Sequence, residues 1–170
     1  MSLESLPDEV AGQGDITAYR RALGAFATGV CVVTADSSAG PLGITINSFT
    51  SVSLTPRLVL WCLDERSERW GPFCAAERFS IHVLDAGSEG LARRFAKGIA
   101  IMEDHEFERV GDGPPRLADA AARFDCRVHD RIQMGDHMMI VGEVEAFEAS
   151  DSAALTYFRG GYGVAGGTGE

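Results

Sequence analysis

The chain has 170 residues, 45% of them hydrophobic and 24% charged, enough for one folded domain and incompatible with global disorder. Fifteen basic residues against 25 acidic ones give a net charge of −10, which repels phosphate backbones and argues against nucleic acid as a partner. Apolar runs such as Leu58 to Leu63 are too short to cross a bilayer, and the acidic N-terminus lacks the hydrophobic region of a signal peptide, so a membrane-free, cytoplasmic protein is expected.

Residues 1–14 are polar and read as a disordered tail. Asp15 is a candidate N-cap for a helix from about Ile16 to Thr28, with Tyr19, Leu23, Phe26 and Ala27 toward the core and Gly29 as its stop. Val30 to Ala35 (VCVVTA) reads as a β-branched strand, and 36–41 (DSSAGP) as a hairpin loop. A long strand-like stretch follows from Leu42 to Leu54 and is broken at Pro56. The run Leu58 to Leu63 (LVLWCL) reads as a strand buried on both faces.

Ser67 is a candidate cap for a short helix through Ala76, with Pro72 in its first turns. Residues 78–85 (RFSIHVLD) give the next strand, and Ser88 can cap a helix through Ala96 with Leu91 and Phe95 on one face. Residues 97–116 lack a period and read as a long, lid-like loop. Phe124, Cys126, Val128 and Ile132 alternate with Asp125, Arg127, His129 and Arg131, the pattern of a half-buried strand with its charges in solvent. The turn MGDH (134–137) leads into a strand from Met138 to Glu148. Six or so strands with three short helices make the fold mainly β, an antiparallel barrel. The folded domain is expected over 15–163, with a Gly-rich tail over 164–170.

Several patterns carry no chemistry. Gly161 to Gly166 matches GxGxxG, but the dinucleotide fingerprint needs a following helix and a distal acidic residue, and the sequence ends at Glu170. The histidines have no metal-ligand spacing; His82 reads as a hydrogen-bonded core residue and His129 as solvent-facing. Cys31, Cys62, Cys74 and Cys126 form no CxxC pair and read as free thiols in a reducing compartment.

One segment stands out. Between Gly43 and Ser53 the eleven residues include five Ser or Thr and one Asn, each beside an apolar neighbour. A solvent-facing strand has this pattern. So does a polar shelf whose hydroxyls and amides bond the rim and phosphate of a flat heteroaromatic ligand without formal charges.

The stretches FATGVCVVTA (26–35), GITINSFTSVSLTPRLVLWCL (43–63), SERW (67–70), RFSIHVL (78–84), LARRFAK (91–97), GDHMMIVGEVE (135–145) and YFRGGY (157–162), in this order and spacing, resemble the short-chain flavin reductase family. The resemblance runs from about Tyr19 to Tyr162. It implies a split β-barrel with Greek-key connections, a homodimer, FMN or FAD as flavin, NADH or NADPH as hydride donor, and a flavin-dependent monooxygenase as partner. By position it implies that Thr45, Ile46, Asn47 and Ser48 lie by the isoalloxazine ring, and Ser51, Val52 and Ser53 nearer the phosphate. Phe95, Ala96 and Lys97 resemble a second flavin contact. His137 resembles a histidine beside the nicotinamide, with the alternative that it merely closes its turn. Tyr157, Arg159 and Tyr162 resemble a group that also touches the dinucleotide. Glu68 and Arg69 stand where relatives often carry a small or hydroxyl residue, so the choice between FMN and FAD is not read from the resemblance; nor are the contacts of 98–107. Two other functions are compatible with such a barrel, a non-catalytic flavin binder and a pyridoxamine-phosphate-oxidase-like oxidase. The latter surrounds its phosphate with basic residues, and the shelf here is hydroxyl-rich.

Overall fold

A computed structural model of the chain describes residues 16–165. The expected tail over 1–14, the cap at Asp15 and the last five residues of the Gly-rich tail lie outside the described residues. Helix α1 (Ile16–Leu23) comes first, then strands β1 (Thr28–Gly29), β2 (Cys31–Ala35), β3 (Leu42–Ile46), β4 (Thr50–Leu54) and β5 (Arg57–Asp64). Helix α2 (Trp70–Ala75), β6 (Arg78–Val83) and α3 (Glu89–Arg94) follow. The chain continues through two long strands, β7 (Ala122–Met134) and β8 (His137–Ala149), and finishes with β9 (Ala154–Phe158) and β10 (Gly161–Ala165).

Seven strands form one antiparallel sheet in the order β3-β2-β6-β7-β8-β5-β4, and β1-β9-β10 form a second, smaller one. The two outer strands of the large sheet, β3 and β4, are joined by only Asn47, Ser48 and Phe49. Such a link reaches at most about 14 Å, so the sheet must curl until its edges face each other. The interior is filled from both sides by Val33, Ile44, Trp61, Leu63, Phe79 and Ile140, with Trp61 edge-on to Phe73 at 5.1 Å. This is the mainly β barrel expected from the sequence, with more strands than the pattern alone resolved.

The small sheet is attached through a ring of backbone bonds around Leu155. The Val30 amide donates to the Leu155 carbonyl (3.1 Å), Leu155 to Leu84 (2.9 Å) and Leu84 back to Val30 (2.9 Å). All three side chains are buried, so the ring of backbone bonds is shielded from water.

Six expectations need correction. Helix α1 stops at Leu23, with Gly24 bonding back to Arg20, while Gly29 sits in β1. Its apolar face is not in the core: Tyr19, Leu23 and Phe26 are 66%, 56% and 77% exposed. The stretch 42–54 is two strands with a bend, and β5 is buried on alternate residues only, because Leu58, Leu60 and Cys62 point to a half-covered face. The long loop is no free lid. Its Pro115 carbonyl accepts from Thr34 Oγ1, the Leu117 amide donates to His82 Nε2 (3.1 Å), and Arg116 pairs with Asp125. Asp125, expected on the solvent side, is therefore buried beneath it, and so is Arg123.

His82 is the hub of this attachment, fully buried, with Nδ1 donating to the Val32 carbonyl at 3.1 Å while Nε2 accepts from Leu117. Only a neutral ring satisfies both bonds. Burial first, and then the neighbouring Arg123, push its pKa down to about 4, despite the opposing Val32 bond. The unfolded chain takes up this proton near the ordinary 6.5. The contribution is therefore complete above about pH 6.5 and is lost progressively as pH falls toward 4, by roughly 3 kcal/mol. Urea unfolding across this window is expected to show that loss in the native chain and its absence in His82→Gln; equal slopes in the two would contradict it.

Candidate functional site

The bend at Asn47, Ser48 and Phe49 is built by three different contacts. Ser48 Oγ accepts the Cys62 amide at 3.0 Å and lies 3.4 Å from the Cys62 carbonyl, to which it donates. One hydroxyl thus occupies both main-chain groups of β5 just past Leu60, where β4 pairing ends. Phe49 turns inward and stacks on Phe124 at 5.5 Å. Asn47, between them, is left exposed.

The other edge of β3 is covered by the segment that follows α3. The Thr45 amide donates to the Phe95 carbonyl (3.0 Å), and its Oγ1 donates to the Ala92 carbonyl (2.7 Å). Gly43 is required here: a Cβ would sit 2.6 Å from the Phe95 ring. The structure thus brings the two expected flavin segments side by side, 45–48 and 95–97. Phe95 itself is wholly buried, so its ring supports the shelf from behind and does not line it. Ala96 and Lys97 are exposed beyond it.

Two adjoining clefts open at this seam. The larger, about 1030 Å³, runs between α1 and the bend and is lined by Phe26, Thr28, Asn47, Ser48, Thr50 and Tyr157 among others. A smaller one of about 200 Å³ is lined by Val30, Thr45, Ile46, Asn47, Tyr157 and Tyr162. Tyr157 and Tyr162 meet edge to face at 5.4 Å. The site thus gathers Thr45, Ile46, Asn47, Ser48, Tyr157 and Tyr162, six of the residues singled out from the sequence. Thr28 was not among them. Its Oγ1 is buried without a hydrogen-bond partner among the described residues, at the wall of the larger cleft. Its signal was present in the stretch FATGV, which marked the resemblance without suggesting a role.

The remaining residues lie apart. Ser51, Val52 and Ser53 are on β4, the far lip of the seam, and Ser53 Oγ accepts the Thr55 amide at 3.3 Å. Arg159 is in the β9–β10 turn. His137 opens β8 opposite Asp64, while Ser51 faces Val59, so His137 is about 16 Å further along β5. Its Nδ1 bonds Asp136 Oδ1 at 2.7 Å, and that imidazole holds the Asp136 carboxyl below its usual range. His137 lines neither cleft.

Arg69, the departure noted in SERW, is 3% exposed. Its Nε donates to the Ile99 carbonyl at 3.3 Å, so it fastens the loop after α3. The cysteines are free thiols, and burial pushes Cys31 up to about 12, which removes it as a nucleophile. Among the described residues no helix is long and apolar enough to cross a membrane.

The result is a seam-closed β-barrel whose polar bend and aromatic pair line a cleft suited in shape to a flat ligand. Comparison with known proteins names the family. Residues 23–166 match the flavin reductase like domain, and the chain belongs to that family. It is 42% identical over 161 residues to the FMN reductase (NADH) SmoA of Agrobacterium fabrum, covering 93% of this chain and 92% of that protein. It is 47% identical over 150 residues to a probable flavin reductase of Rhizobium meliloti, covering 87% of this chain but only 48% of that longer relative. The NADH:FAD oxidoreductase SgcE6 of Streptomyces globisporus, solved with NAD and FAD fragments, superposes with a TM-score of 0.83 at 33% identity, covering 98% of this chain and 99% of that one.

Proposed function

We propose that this chain is an NADH-dependent flavin reductase that reduces FMN or FAD and supplies the product to a flavin-dependent monooxygenase. The observation that carries the reading is the cleft at the seam. One wall offers Thr28, Asn47 and Ser48, and another the apolar side chains of α1. A flat heteroaromatic ring with a polar rim fits that division. The similarity to SmoA, an FMN reductase (NADH), and to SgcE6, an NADH:FAD oxidoreductase, supports the same chemistry.

Bound flavin supplies a hydride acceptor, which no amino-acid side chain provides. The protein's part is placement. The exposed Asn47 amide is free to bond the ring's rim. Tyr157 and Tyr162 give a fixed aromatic wall against which a second ring can be held. Holding two rings at reacting distance can be worth up to roughly 7–11 kcal/mol, so no triad or metal is demanded of the chain. Ser51, Ser53 and Lys97 are assigned to the phosphate side on the resemblance. His137 is assigned to the nicotinamide on the same ground, with Nδ1 held by Asp136 and Nε2 left for a ligand.

We also assign a homodimer. The exposed face Ile16, Tyr19, Leu23 and Phe26 is the apolar surface that a second copy would cover. A cytoplasmic location accords with four free thiols.

Anaerobic mixing of the protein with FMN or FAD and NADH tests the reading. Loss of NADH absorbance together with flavin bleaching is expected; flavin binding with no NADH consumption would reduce the protein to a binder. In the same assay His137→Ala is expected to raise the NADH requirement or slow reduction by about tenfold, with flavin affinity retained. Loss of flavin binding with unchanged NADH kinetics per bound flavin would assign His137 a structural role.

A further inference from the structure

The chain carries 14 arginines and 25 acidic residues. Eight of the arginines, spread from Arg66 to Arg127, lie against a carboxylate. Of the other six, Arg57 lies over Phe147, and Arg69 and Arg131 donate to main-chain carbonyls; Arg20, Arg21 and Arg159, which have no acidic partner among the described residues, converge. They line a cleft of about 950 Å³ between α1 and the β9–β10 turn, together with Gly24, Tyr157 and Gly160. Among the described residues no carboxylate lines it. In an acidic protein, three guanidiniums around one concavity leave a local positive field that no carboxylate among the described lining residues offsets.

The arrangement is built from two parts of the fold. Arg20 and Arg21 are in the last turn of α1. Arg159 comes from the second sheet, and its amide donates to the Gly24 carbonyl at 3.0 Å, which ties the turn to the end of the helix. Cations suit a helix C-terminus, which accounts for the first two but not for the third. Arg159 also holds a left-handed backbone, φ 47°, in a turn position where Asn or Gly is the low-energy choice. Its guanidinium stacks 5.2 Å over Phe158, at the rim.

We propose that this cleft is an anion subsite that takes the phosphate or pyrophosphate of a nucleotide reacting at the seam. The position argues for a tail of the same ligand. Arg20, Ala22, Gly24 and Tyr157 line both this cleft and the 1030 Å³ cleft. A molecule with its ring beside Tyr157 and Asn47 has its charged end directed here. The inference rests on the reductase reading for the ring, but the anion chemistry rests on the arginines alone. Guanidinium pairs with phosphate oxygens through paired parallel bonds, which a lysine could not supply. The phosphate can come from the flavin or from the pyridine dinucleotide.

Two variants separate the possibilities: Arg20→Gln with Arg21→Gln, and Arg159→Gln alone. Gln keeps much of the stem and removes the charge, and the two variants alter different elements of the fold. ADP, which has no reacting ring, is the calorimetric probe. Its affinity is expected to fall about tenfold in each variant, and to fall with salt in the native protein. FMN and riboflavin affinities and the KM for NADH complete the set. A higher Kd for FMN with riboflavin unaffected assigns the phosphate to the flavin; a higher KM for NADH assigns it to the dinucleotide. ADP binding unchanged in both variants, or absent from the native protein, would overturn the proposal, and so would a riboflavin affinity that falls as far as that of FMN. ADP binding lost in the variants of a native protein that does not oxidise NADH would keep the subsite and remove the reductase reading.

Discussion

The two outer strands of the seven-stranded sheet are tied together by three residues, and the cleft follows from that constraint. Asn47, Ser48 and Phe49 are too few to pass around a flat sheet, so β3 and β4 must come together. They do not pair with each other. Ser48 spends its hydroxyl on Cys62, Phe49 spends its ring on Phe124, and Asn47 is left over. A seam closed by side chains leaves polar groups free beside an apolar interior. That combination orients a flat ligand with a polar rim.

The rest of the chain completes the walls. The ring of bonds among Val30, Leu84 and Leu155 fixes the small sheet at the mouth of the barrel. It thereby fixes Tyr157, two residues beyond Leu155, over the seam. The same sheet sets Thr28 beside it, as its register partner on β1. Behind the sheet, the loop pinned through Thr34, His82 and Asp125 fills the space that would otherwise expose buried charges. The polar tethers are local, whereas the barrel interior is wholly apolar. Binding surface and stability are therefore carried by different parts of one sheet.

Much of this was legible in the sequence. Alternation in RFSIHV and the Gly135-Asp136 turn gave strands that stand where expected, because each depends on residues a few positions apart. The hydroxyl density of 43–53 pointed to the seam. What sequence periodicity could not supply was the neighbour of each face. Tyr19 and Leu23 lie on an apolar helical stripe, but spacing is silent on whether the stripe meets this chain's core or another surface. Asp125 alternates with apolar residues and so reads as solvated, and Arg123 lies two residues before it on the same face. Their cover is a loop whose attachment is made by Arg116 and Leu117, residues without a period. The arginine cleft was hidden for a similar reason, since Arg20 and Arg159 are far apart in sequence and meet only through Gly24.

The central claim is that the seam between β3 and β4, closed by the small sheet, is where the flavin ring binds. Amide chemical-shift mapping of the labelled protein during titration with FMN tests it most directly. The account predicts shifts centred on Thr28, Gly29, Asn47, Ser48 and Tyr157, with the α3 end near Phe95 affected less. Shifts confined to the opposite side of the barrel, for instance around Ser37 and Gly71, with these residues unmoved, would contradict it.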